Sequence, residues 1–164
     1  MLKEPLRILG INPGTRYLAL AIFQDWSLLD WRICNFEGKW SIKKMNRILD
    51  YISDQIDLHD INTIALKKIH PSHSSSQLGL LSSRIKILAR KKRITVFQQS
   101  IKELEGCLLP EGRQNKMVLA EKIITDYPWL NSEWSKEKLH RSPYRLRSIE
   151  AVGTAIACFR QNQA

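Results

Sequence analysis

Cationic side chains are the best-represented chemical tools in this sequence, and phosphate is the group they suit. The stretch from Arg84 to Arg93 carries Arg84, Lys86, Arg90, Lys91, Lys92 and Arg93 with no acid among them. A second set, Arg113 and Lys116, stands at a predicted helix start, where unpaired backbone N–H groups also favour an anion. A third runs through Lys136, Lys138, Arg141, Arg145 and Arg147. The 164 residues sum to a net charge of +10 at pH 7, an excess that points to a polyanionic partner such as nucleic acid. Other chemistries are poorly supported. Cys34, Cys107 and Cys158 are odd in number and without paired spacing, as expected of plain thiols in a reducing cytosol. His70, His73 and His140 lack the spaced partners of a zinc site. Trp26, Trp31, Trp40, Trp129 and Trp134 read as core or cover residues rather than stacking platforms. Asn12 closes the first apolar run, where a side chain projects from the edge of a rigid sheet, and it offers a neutral amide.

The elements that must position these groups start with Leu6 to Phe23, two apolar β-favouring runs joined at Asn12-Pro13-Gly14. Pro presets φ and Gly supplies the positive φ of a type II turn, so a tight hairpin is expected there, in the middle of a sheet covered on both faces. Gly10 allows a close backbone approach. Ser27 to Phe36 reads as a third strand. From Trp40 to Ile56 apolar residues recur at 42, 45, 48, 49, 52 and 56, a helical period with Lys43, Lys44 and Arg47 on the outer face. Thr63 to Ile69 is a short central strand, and the serines of Pro71 to Ser76 can cap the helix from Leu78 to Lys92. Ile94 to Phe97 is another strand. A mixed helix–turn piece through Gly112, a helix from Lys116 to Ile124, a polar basic loop from Asn131 to Pro143 and a last helix from Tyr144 to Arg160 complete the chain. The order βββαβαβ followed by helices implies one domain, residues 1–164, of class α/β. The plan is ribonuclease H-like: a mixed five-stranded sheet, antiparallel in its first three strands, with helices on both faces. No run is long and apolar enough for a membrane span, and nothing near Met1 reads as a signal peptide, so a cytoplasmic location without membrane contact is expected.

On these residues the chain resembles the RuvC-type Holliday junction resolvases. Ile8-Leu9-Gly10-Ile11-Asn12-Pro13-Gly14-Thr15-Arg16 is similar to that family's opening motif, which has Asp at the place of Asn12. Thr63-Ile64-Ala65-Leu66-Lys67-Lys68 resembles its fourth strand, which has Glu at the place of Lys67, and Gly112-Arg113-Gln114-Asn115-Lys116 resembles its Gly-Arg-x-x-Lys segment. Arg147-Ser148-Ile149-Glu150-Ala151, with Thr154 to Ala157 behind it, resembles the last helix, where two Asp residues stand at 147 and 150. The resemblance covers about Leu6 to Phe159. It implies the fold just described, a homodimer acting on four-way DNA, and hydrolysis by two Mg²⁺ ions about 4 Å apart held by hard carboxylates.

The chain departs from that set at three of its four positions. Asn12, Lys67, Arg147 and Glu150 carry 0, +1, +1 and −1, a sum of +1 where four acids would give −4. Such a set is not expected to hold divalent metal, nor any other cofactor. Lys67 and Arg147 are expected to pair with Glu150 in the space the metals would need. Taken singly, each has a plainer reading: Asn12 as a turn former, Lys67-Lys68 as edge-strand charges, Arg147 and Glu150 as a surface pair on a helix. The resemblance places Arg113 and Lys116 against DNA phosphate and His70 where the family carries an aromatic. Arg84, Lys91, Arg93 and Arg145 are further candidate DNA contacts. The expected function is binding of DNA, in branched form, without metal-dependent cleavage. The competing classes are an active junction endonuclease with a rearranged metal site and a protein-interaction module without DNA binding. The apolar positions of the 78 to 89 helix serve either a dimer seam or the core of one subunit.

Overall fold

Alternating side chains decide the architecture. In β1 (Arg7–Asn12) and β2 (Tyr17–Gln24) the residues Leu9, Ile11, Leu18, Leu20 and Ile22 face one side, and Ile8, Ala19, Ala21 and Phe23 the other. Both strands are thus apolar on two faces and need cover on each. The structure, a computed structural model, describes residues 4–70, 75–109, 116–131 and 146–163. β3 (Ser27–Asn35), α1 (Ile42–Leu58), β4 (Thr63–Lys67), α2 (Ser76–Lys91), β5 (Thr95–Gln99), α3 (Ile101–Leu108), α4 (Lys116–Asp126) and a short 3-10 turn at Pro128–Leu130 follow, and α5 (Leu146–Gln163) is the last helix. The five strands form one sheet in the order β3-β2-β1-β4-β5. β1 is antiparallel to β2 and β2 to β3, whereas β4 runs parallel to both β1 and β5. The mixed ribonuclease H-like plan is therefore the one observed, with β1 and β4 inside the sheet. Lys67 is not an edge-strand charge.

One face of the sheet packs on α1 and α2 through Met45, Ile48, Ile52, Ile56, Leu81, Ile85 and Ala89. The apolar positions of α2 thus serve this chain's own core rather than a dimer seam. The other face is paved with Gly10, Ala19, Ala21 and Ala65, and α5 settles closely onto it through Ala151 and Ala155. A Cβ built at Gly10 would stand 2.4 Å from the Ala151 carbonyl oxygen, so only glycine lets β1 and α5 approach this far. That close packing brings the N-terminal end of α5 beside the carboxyl end of β1.

Local signals account for most helix starts. The Ser41 hydroxyl accepts from the Lys44 N–H, Ser75 from Leu78 and Ser100 from Glu103, each at the N-cap. The helical part of the expected mixed piece after β5 is the regular helix α3, opened by the Ser100-x-x-Glu103 pattern of a capping box, and its turn at Pro110 to Gly112 lies outside the described residues. Two other expectations give way. Lys44 is buried, not on the outer face of α1, because its ammonium reaches back to the Gly38 carbonyl at 2.8 Å. The tight type II turn at Asn12-Pro13-Gly14 does not form either. Among the described glycines positive φ occurs at Gly38, and β1 pairs Asn12 with Ala19 across a longer connection. Gly14 is needed for space instead: a Cβ there would lie 2.2 Å from the Tyr17 carbonyl oxygen.

Among the described residues no helix is long and apolar enough to cross a membrane. Cys158 lies in α5 with no exposed surface, and burial pushes its thiol up to about 12. At pH 8 only about one such thiol in ten thousand is the reactive thiolate. A thiol reagent at that pH should label the half-buried Cys34 and Cys107 in the folded protein and Cys158 only after denaturation. Equal labelling of all three in the fold would contradict this packing.

Candidate functional site

The parallel strands β1 and β4 end together, and their last residues, Asn12 and Lys67, project toward the first turns of α5. There Arg147 and Glu150 share one helix face, three residues apart. The Asn12 amide joins strand to helix, because Nδ2 donates to Glu150 Oε2 at 3.0 Å and to the Arg147 carbonyl at 3.3 Å. The Lys67 ammonium donates to the same Glu150 Oε2. Asn12 and Glu150 are 4% and 5% exposed, so this oxygen receives its two donors away from bulk water. The Arg147 guanidinium passes over Gly14, where a Cβ would stand 2.9 Å from Nη1. Farther down α5 the Thr154 hydroxyl donates to the Glu150 carbonyl, which ties the helix backbone behind the carboxylate.

All four residues that the motifs single out therefore meet at one place, and Lys67 pairs with Glu150 as expected. The chemistry of the donor set does not fit the two-metal centre that the resemblance implies. Mg²⁺ asks for several hard oxygens in near-octahedral array. This set offers one carboxylate, and an ammonium and an amide already hold one of its oxygens. Two fixed cations would repel a divalent ion from the same space. Among the described residues no group of three or more His, Cys, Asp or Glu side chains is placed to hold a metal ion.

The remaining candidates are scattered. His70 is exposed, beyond the end of β4. Arg84, Lys91 and Arg93 are exposed along and after α2. Since α2 carries the chain back between two parallel strands, Lys91 and Arg93 fall at the sheet end opposite Asn12 and Lys67. Lys92 is not free for a ligand, as its ammonium pairs with Asp57 of α1 at 2.7 Å. Lys116 is the first residue of α4. Arg113 and Arg145 lie outside the described residues, as does the basic stretch around them. Gly14 was missed as a part of the site. Its signal is steric, the room it leaves for Arg147, and it carries no chemical group of its own.

No family model and no curated protein matches the sequence. Solved structures do match. The chain is 14% identical to Thermus thermophilus RuvC over 96% of each chain, with a TM-score of 0.75. T. thermophilus RuvC in complex with Holliday junction substrate gives 13% identity, a TM-score of 0.74 and coverage of 97% of this chain and 96% of that one. The yeast mitochondrial Holliday junction resolvase Ydc2 gives 11%, 0.59, and coverage of 96% and 81%. The chain has the fold of the RuvC-type Holliday junction resolvases.

Proposed function

We propose that this RuvC-like chain binds DNA, in branched form, through side-chain cations and does not cleave it by the two-metal route. The observation that carries the reading is the Lys67 ammonium and the Asn12 amide on one oxygen of Glu150. Where the resemblance implies metals, this chain supplies the Lys67 ammonium, with Arg147 beside it. A phosphodiester that would lie against Mg²⁺ in a resolvase meets here the net charge of +1 left by Lys67, Arg147 and Glu150 together. Cationic side chains can take over part of the phosphate neutralisation, so losing the metals need not lose the DNA. The net charge of +10 supports this, as does the binding of Holliday junction DNA by the similar RuvC and fowlpox virus resolvases. The proposed protein works without a cofactor, in the cytoplasm, as a homodimer with two such centres facing one junction.

A salt titration of junction binding in EDTA tests the reading. Affinity should fall steeply with salt, with a log–log slope of several units if several phosphates are contacted. Arg113→Ala and Lys116→Ala should each weaken binding and lower that slope by roughly one unit. Parent-like binding by both variants, or no binding by the parent at low salt, would leave a protein-interaction module and remove the DNA.

A further inference from the structure

The two edges of the sheet are built differently. β3, the outer strand on one side, is blunted twice. Its register against β2 shifts between Ile22 and Phe23, which leaves Leu29 as an extra residue, and the Trp31 N–H is capped by the Asp30 carboxylate at 2.8 Å. Bulges and inserted charges of this kind keep an edge from pairing with another chain. β5, the opposite edge, has neither device. Thr95–Gln99 carries no charge and no proline, and its pairing with β4 runs without a shift.

The phase of that ladder shows which backbone groups are left over. The Lys68 N–H donates to the Gln99 carbonyl at 2.7 Å, opposite the Lys67–Gln99 pair, so Gln99 faces β4 with its backbone groups. Alternate residues of a strand point their backbone groups to opposite sides, so Thr95 and Phe97 also face β4. Val96 and Gln98 then direct N–H and C=O away from the sheet, and among the described residues β5 pairs with β4 alone. Beside this row lies a groove lined by Ile94, Val96 and Gln98 and overhung by Lys86 and Arg90 of α2. Those two cations are four residues apart, on one face of a helix that contains no acid.

We propose that the β5 edge, together with Lys86 and Arg90, docks an extended acidic segment of a partner protein as an added strand. The main-chain groups of Val96 and Gln98 supply the ladder, and every second side chain of the incoming segment falls toward α2. Lys86 and Arg90 select acids at those positions, while Ile94 and Val96 offer apolar contact between them. A nucleic acid backbone could use the two cations, but it would leave both the ladder groups and the apolar floor without partners. The proposal is independent of DNA binding at the Asn12–Glu150 end.

The probe is an N-acetylated peptide of alternating Glu and Val, added to the full-length chain at about 150 mM salt, where distant charges are screened. Amide exchange at Val96 and Gln98 should slow on saturation. Lys86→Glu with Arg90→Glu should weaken the peptide by at least about tenfold. Val96→Pro keeps both cations and removes one outward N–H, which an edge strand tolerates; it should abolish peptide binding and leave a labelled oligothymidine unaffected. Unchanged amide exchange at saturating peptide overturns the proposal whether or not the proline variant folds. Equal binding of an alternating Lys–Val peptide overturns it too, as does a groove that takes the oligonucleotide and not the peptide.

Discussion

Lys67→Met should cost the fold about 3 kcal/mol in equilibrium urea denaturation, a large fraction of the stability of a domain this size. The reason lies in the place of the charge rather than in the pair's own strength. Glu150 sits 5% exposed at the junction of β1, β4 and α5, and the substitution removes the ammonium from its Oε2 while leaving the Asn12 amide. A buried carboxylate that loses an ammonium partner keeps its desolvation cost and loses part of the compensation. Removing both charges together is a milder change. Lys67→Met with Glu150→Met should recover most of the loss, because an apolar pair of similar volume is often as stable as a buried ion pair. A Lys67→Met protein as stable as the parent would mean that the pair does not hold the end of α5.

Metal binding should change from none to clear saturation when Asn12→Asp, Lys67→Glu and Arg147→Asp are combined. With Glu150 retained, the four side chains then sum to −4 instead of +1. Calorimetric titration with Mn²⁺ should show a saturable site in the triple variant, and Mg²⁺-dependent cleavage, if it appears at all, should appear there. Asn12→Asp alone should do neither, because Lys67 still occupies Glu150 and Arg147 still lies over Gly14. A single Asn12→Asp protein that binds Mn²⁺ and cuts a junction would show the electrostatic account to be wrong.

The strands were legible in the sequence because their signal is local. Period-two alternation and β-branched content mark Leu9 to Ile22 and Thr63 to Leu66 without knowledge of what covers them. The helical period of α1 was equally plain, yet it set Lys44 outside, since periodicity cannot foresee a long side chain folding back to the Gly38 carbonyl. α3 carried a readable capping signal, Ser100-x-x-Glu103, in a segment too short for a clear period. Gly14 suggested a turn by its type, whereas its tightest constraint is the Tyr17 carbonyl three residues on, with the Arg147 guanidinium next. The site is non-local. Asn12 and Glu150 stand 138 residues apart, and only the family motifs, read in order, put them together. Nothing in the sequence distinguished Lys86 and Arg90 from the other cations of α2. Their meaning comes from the bare edge of β5 beneath them.

One incubation separates binding from cleavage. The parent protein is mixed with a four-way junction and with linear duplex in EDTA, and Mg²⁺ or Mn²⁺ is then added and the strands are resolved under denaturing conditions. The account predicts a salt-sensitive complex with the junction in EDTA and intact strands after either metal. Metal-dependent strand cleavage by the parent would contradict it.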